Sequence, residues 1–198
     1  IGLMHSVAWM PRLLPLFHEH YPDVSVRLIE QGDELLLKAL QSNDADIIIG
    51  GMPVSTQDVT VTLALEQLLL IVPRAFNIIP SWAYTGNSYE NPYEIDPKQL
   101  QGLPLILPST VNDIGGITNQ VLEHFDIRPK FVTTVDSMQT AAMLVAQDMG
   151  YLFTSPIFLK AQMAELAPNI VYCMARGIPD SRKIVAVYHS DTYKEEMI

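Results

Sequence analysis

The chain has 198 residues, 48% apolar and 17% charged, with 22 acidic against 12 basic side chains and a formal net charge of −10. This composition excludes intrinsic disorder, and an isoelectric point near 4.8 excludes a surface that grips nucleic-acid phosphates by itself. The densest apolar run, 63–72, is interrupted by Glu66 and Gln67, so nothing approaches the roughly 18 uninterrupted apolar residues of a membrane span.

Short apolar runs alternate with longer patterns of helical period, the βαβ rhythm of a parallel sheet. Residues 24–29 alternate like a strand, and 34–42 follow as a helix with its apolar stripe on Leu35, Leu36, Leu37, Ala39 and Leu40. The run 46–50 is β-branched on both faces, as a buried parallel strand is. Two more strands are predicted over 59–65 and 67–72. From Pro73 to Pro104 the period disappears, and the aromatics of 82–93 predict a long loop before a short helix at 97–101. The rhythm then resumes. Strands are predicted at 103–107, 130–135, 150–154, 170–173 and 183–188, with helices at 117–125, 137–147 and 156–166. A further helix begins at 191.

Two such sets separated by a loop predict two α/β lobes. Open α/β sheets place ligands at the carboxyl ends of their strands, where helix N-termini face the crevice. No leader of basic, apolar and small residues is visible at Ile1-Gly2. Cys173 is the single cysteine and has no disulfide partner or spaced zinc ligands. These features predict a reduced, cytoplasmic setting with no membrane attachment and no cofactor.

Four segments together resemble the effector-binding domain of LysR-type transcriptional regulators. Met10-Pro-Arg-Leu-Leu-Pro-Leu-Phe17 followed by Tyr21-Pro-Asp-Val24 is similar to that family's LPxLLxxFxxxYPDV opening. Asn43-Asp-Ala-Asp-Ile-Ile-Ile-Gly50 resembles its GxLDLAIG strand, and Leu65-Glu-Gln-Leu-Leu-Leu-Ile-Val-Pro73 its LxxExLVLVV segment. Gln147-Asp-Met-Gly-Tyr-Leu-Phe-Thr-Ser-Pro156 resembles its GxGIAxxP strand and turn. Order and spacing agree from about residue 9 to 190.

The resemblance implies two Rossmann-like lobes joined by two crossover strands, a type 2 periplasmic-binding-protein-like fold. It implies one lobe of 1–73 plus 178–198 and another of 76–175. A small-molecule inducer would lie between the lobes, and the chain would form a homodimer or tetramer. DNA would be reached only through an upstream helix-turn-helix domain absent from this chain. The single Cys173 does not provide the two-cysteine peroxide switch of one branch of that family.

Candidate site residues fall at predicted strand ends, each with a structural role beside the binding one. Met4, His5 and Ser6 precede a helix; Ser6 can cap it or present its hydroxyl to an anion at the positive helix end. Asp33 opens the helix 34–42, where the family often has a ligand-binding Thr or Ser; an Asp there is a good N-cap and repels a carboxylate. Gly51 follows the strand 46–50. In Pro108-Ser-Thr-Val-Asn-Asp-Ile-Gly-Gly116, hydroxyls and glycines let backbone N–H groups approach a ligand. The resemblance places inducer contacts there, on Ser109, Thr110 and Gly115. Thr154 and Ser155 end a strand before Pro156, which suits a helix start and also matches the family's cleft-lining turn.

No HExxH, Gly-x-Ser-x-Gly elbow or Cys–His pairing is present, and His18 and His20, two apart on a helix, face different ways. The sequence therefore predicts a ligand-sensing, non-catalytic domain of a transcriptional regulator. The alternatives are a solute-binding protein of a transport system and an α/β enzyme with a convergent acid–base pair.

Overall fold

The apolar runs sort into two units in a computed structural model of the protein, which describes residues 1–3, 10–51, 58–109, 113–156, 158–159, 167–178 and 182–190. One unit is Ile1–Glu66 with Arg182–Ile198, and the other is Gln67–Ser181. The chain therefore passes between them twice.

Unit 1 contains β1 (Gly2–Leu3), α1 (Met10–His20), β2 (Ile29–Glu30), α2 (Asp33–Gln41), β3 (Ile47–Gly50), β4 (Val59–Glu66) and β11 (Arg182–Tyr188). Its sheet runs β2-β1-β3-β11-β4. β1, β2 and β3 are parallel, while β11 is antiparallel to both β3 and β4. Leu36 and Leu40 of the α2 stripe are fully buried against Ala45, Ile48, Val185 and Val187; Leu35, on the flank of the stripe, is exposed. α1 buries only Met10 and carries Pro15 in its interior.

The strand predicted over 24–29 is observed only as Ile29–Glu30. A parallel strand needs a partner ladder, and β1 supplies two residues, Gly2 opposite Ile29 and Leu3 opposite Glu30. Beside them Ile1 donates to the Arg27 carbonyl at 2.8 Å and accepts from the Ile29 N–H at 3.0 Å.

Unit 2 contains β5 (Leu69–Pro73), β6 (Tyr93–Ile95), β7 (Leu105–Pro108), α3 (Asp113–His124), β8 (Val132–Val135), α4 (Met138–Ala146), β9 (Leu152–Thr154) and β10 (Ile170–Ala175). A four-stranded sheet β6-β10-β5-β9 and the parallel pair β7-β8 meet through a parallel bridge from Leu105 to Tyr151. Ile106 donates to the Tyr151 carbonyl at 2.8 Å, and the Tyr151 N–H donates to Pro104 at 2.9 Å. The effective order is β8-β7-β9-β5-β10-β6. β5, with its five residues all buried, is central, which is why its sequence reads as an unbroken apolar run.

The stretch expected to be a loop without period is instead built into unit 2. Residues Ser81–Tyr84 form a 3-10 turn with Ala83 buried, and Tyr93–Ile95 add β6 beside β10. Just before β6 begins, Asn87 takes the place of a strand residue. Its side-chain amide donates to the Tyr172 carbonyl at 2.8 Å, and its side-chain oxygen accepts the Tyr172 N–H at 2.8 Å. One side chain thus satisfies a peptide edge that would otherwise be unpaired. The predicted short helix is a 3-10 turn, Pro97–Leu100, held by a capping box between Asp96 and Gln99. The helices predicted over 156–166 and from 191 lie largely or wholly outside the described residues, although Pro156, Phe158 and Leu159 are helical.

Cys173 lies in β10 with no exposed surface, and burial pushes its thiol up to about 12. Only the thiolate attacks electrophiles, so at pH 8 about one thiol in ten thousand is ionised. We expect Cys173 to react with a colorimetric disulfide reagent about a thousandfold more slowly in the folded protein than in the same protein unfolded in urea. Equal rates would contradict its burial.

Candidate ligand site at the carboxyl ends of the strands

In unit 2 the parallel strands β7, β8 and β9 finish at the same level. Pro108 pairs with Val135, and the Ser109 N–H donates to the Val135 carbonyl at 2.9 Å. The bridge from Leu105 to Tyr151 puts Thr154, three residues on, beside Pro108. Each strand then feeds a helix: α3 from Asp113, α4 from Met138 and the helical residues from Pro156. Ser137 caps α4 by accepting the Thr140 N–H at 3.3 Å. Three helix N-termini therefore present orphan N–H groups and partial positive charge at one end of this sheet.

Gly115 sets how closely α3 approaches. It lies in the helix's first turn, directly over the backbone carbonyls of Pro108 and Ser109; a Cβ there would sit 2.8 Å from the Ser109 oxygen and nearer still to that of Pro108. The sequence reading started this helix at 117, taking the two glycines as loop. α3 in fact begins four residues earlier. Gly115 belongs to the helix because only a residue without a Cβ fits against those carbonyls.

Thr154 is fully buried, and its hydroxyl finds no hydrogen-bond partner among the described residues. The Tyr151 hydroxyl is in the same condition, and burial holds its pKa above the ordinary phenol value. A buried, unmatched hydroxyl costs about 1–3 kcal/mol, so Thr154, at the carboxyl end of its strand, calls for an explanation beyond packing; Tyr151, three residues earlier, points to the other face of the strand. By contrast the buried Thr118 hydroxyl is satisfied, donating to the Ile114 carbonyl at 2.7 Å. Ser155 is buried at the head of the next helical turn, its carbonyl accepting the Leu159 N–H at 3.2 Å.

Of the ten candidate residues, the structure brings Ser109, Gly115, Thr154 and Ser155 to this end of unit 2. Asp33 and Gly51 are in unit 1, at the start of α2 and just past β3. The N-cap of α2 is Gly32, whose carbonyl accepts from Leu35 and Leu36 at 3.0 Å, rather than the expected Asp33, which is already helical. Met4, His5, Ser6 and Thr110 lie outside the described residues. An apolar cavity of about 430 Å³ in unit 1 lies elsewhere, between Phe17, Tyr21 and Val24 and the sheet residues Ile47, Val61 and Leu63, and includes none of the candidates.

Strand ends met by helix N-termini, in an α/β chain that passes twice between two units, define the periplasmic-binding-protein-like class of ligand-binding domains, type 2. The LysR substrate binding domain family matches residues 1–198, and the chain belongs to that family. A Porphyra purpurea protein described as a probable RuBisCO transcriptional regulator is 26% identical over 195 residues, covering 94% of this chain and 57% of that protein. The RuBisCO operon transcriptional regulator of Acidithiobacillus ferrooxidans is 24% identical over 180 residues, covering 91% of this chain and 54% of that protein. The chain thus spans little more than half the length of these relatives.

Among solved structures, the Synechocystis CcmR regulatory domain in complex with 2-PG superposes with a TM-score of 0.79 at 17% identity, covering 97% of this chain and 87% of that one. The effector-binding domain of QuiR in complex with shikimate gives 0.74 at 15% identity, with 97% and 87% covered. At these identities the likeness speaks for the fold.

Proposed function

We propose that this chain is the effector-sensing domain of a LysR-type transcriptional regulator, with a small-molecule inducer bound at the carboxyl ends of β7 and β9. The unmatched buried hydroxyl of Thr154 carries the reading, beside the family match. Ser109 and Ser155 would complete a hydroxyl-rich seat, with the helix N-termini receiving an anionic group of the ligand. Thr110 and Gly115 remain proposed parts or supports of it, and Met4, His5, Ser6, Asp33 and Gly51 remain proposed ligand contacts on unit 1. The domain performs no catalysis in this reading. It works in the cytoplasm as a homodimer or tetramer, and its ligand biases dimer states that an upstream helix-turn-helix reports to DNA. Family membership favours this over a solute receptor of a transport system.

The ligands bound in those neighbours, 2-PG and shikimate, head the panel for a thermal-shift test. A ligand at about 100 times its dissociation constant adds about 2.7 kcal/mol, a rise of about 5–11 °C for a chain of this size. Thr154→Val removes the hydroxyl and keeps the shape. We expect it to abolish or halve the ligand-induced shift while leaving the free protein as stable or up to about 1 kcal/mol more so, because an unmatched donor has gone. A full shift retained in Thr154→Val would exclude this seat.

A further inference from the structure

His189, immediately after β11, has both ring nitrogens committed to acceptors. Nδ1 lies 2.7 Å from Oδ1 of Asp58, which precedes β4, and Nε2 lies 2.8 Å from the carbonyl oxygen of Leu40 in the last turn of α2. A backbone carbonyl only accepts, and an ionised carboxylate only accepts. A neutral imidazole carries a single N–H and can satisfy one of the two; the imidazolium carries two and satisfies both. The side chains are largely withdrawn from water, 31% exposed for His189 and 12% for Asp58, so solvent screens the pair incompletely.

The surroundings favour the cation as well. The Leu40 carbonyl, which also accepts the Asn43 N–H at 3.1 Å, belongs to the C-terminal end of a helix, where a positive charge is stabilised. Among the described residues, the ionisable groups on the elements around His189 are few. On α2, Lys38 is neutralised by Glu34 at 2.8 Å. The turn into β3 carries Asp44, accepting from the Ser42 hydroxyl at 2.7 Å, and Asp46, with Arg27 donating to the Asp44 carbonyl at 2.9 Å. β3 carries none, β4 is preceded by Asp58, and β11 ends at Tyr188, with Arg182 and Lys183 at its other end.

We propose that His189 is a proton-dependent clasp of unit 1. As the imidazolium it ties the end of β11 to the end of α2 and to the start of β4, and loss of one proton releases one of the two ties. The sign follows from the geometry. A histidine that gains partners for its charged form contributes stability that is fully present below the ordinary value of about 6.5 and is lost as pH rises through the higher folded value. Unit 1 is therefore expected to loosen on the alkaline side.

Imidazole nitrogen NMR of the whole chain, titrated with pH, tests the clasp without any substitution. His189 should show two protonated ring nitrogens at neutral pH and therefore a midpoint above neutral, beyond the ordinary value of about 6.5, and Asp58→Asn should move that midpoint down. A single-proton tautomer at neutral pH, a midpoint at or below the ordinary value, or one that Asp58→Asn leaves in place would overturn the proposal. Urea midpoints give an independent readout: they should fall from about pH 6 to about pH 8.5 in the wild type and do so less in His189→Gln. Equal falls would also overturn it.

Discussion

Arg182→Met is expected to lower the stability of the protein by about 3–5 kcal/mol, seen as a fall in the urea midpoint. Arg182 opens β11 and lies directly opposite Glu66, the last residue of β4. The Arg182 guanidinium donates to the Glu66 carboxylate, and each side chain is only 5% exposed. Taking one partner away leaves a carboxylate in a poorly solvated place without its guanidinium, and breaking a buried pair in this way costs that much. The pair itself is a different matter, because two charges taken out of water gain little net stability over an apolar pair of like volume. The double variant Glu66→Leu with Arg182→Met should therefore recover most of the loss. The coupling between the two substitutions, read from the full cycle, should exceed about 2 kcal/mol. Near-additive losses would mean that the two side chains act separately.

Two adjacent glycines in α3 should respond to the same substitution in opposite directions. Gly115→Ala places a methyl group against the carbonyls of Pro108 and Ser109, which are backbone and cannot swing aside. The helix must retreat, at about 1–3 kcal/mol or more, and its N-terminus moves away from the strand ends where the ligand is proposed to sit. Gly116→Ala meets nothing within 4 Å and should stabilise by about 0.5–1 kcal/mol through helix propensity. Thermal melting of the two variants decides the matter, with any effector that shifts the wild type as a second readout. Gly115→Ala should lose the ligand response along with stability, whereas Gly116→Ala should keep it. If both variants melt like the wild type, α3 does not approach β7 as closely as described.

The element order was readable from periodicity, and so was the placing of the longer elements. The uniformly apolar β5, the α2 stripe and the helix over Met138–Ala146 all follow directly from burial patterns set by local sequence. What escaped was decided by partners distant in the chain. Residues 24–29 alternate like a strand, but the pairing along that run begins with Ile29 opposite Gly2 of β1. The aromatic segment before β6 has no period of its own and is ordered by Asn87 bonding to Tyr172, 85 positions away. Gly115 reads as loop because the carbonyls it touches come from the end of the preceding strand.

The candidate site was legible to a similar degree. Strand-end hydroxyls are visible as Ser and Thr before a helix, which pointed to Ser109, Thr154 and Ser155. That the Thr154 hydroxyl lacks a partner among the described residues is a property of the packed interior and has no signature in spacing. The same holds for His189, whose two acceptors come from α2 and from the approach to β4.

The strand order of unit 1 also has a consequence for biosynthesis. β11 lies between β3 and β4, so an interior strand of that sheet leaves the ribosome after its other described strands. Unit 2 is a single uninterrupted stretch, Gln67–Ser181, and has all its strands before β11 is made. Domains fold as they emerge. Nascent β3 and β4 must therefore wait with facing edges unpaired while more than a hundred residues are added, a window in which open edges invite pairing with other chains.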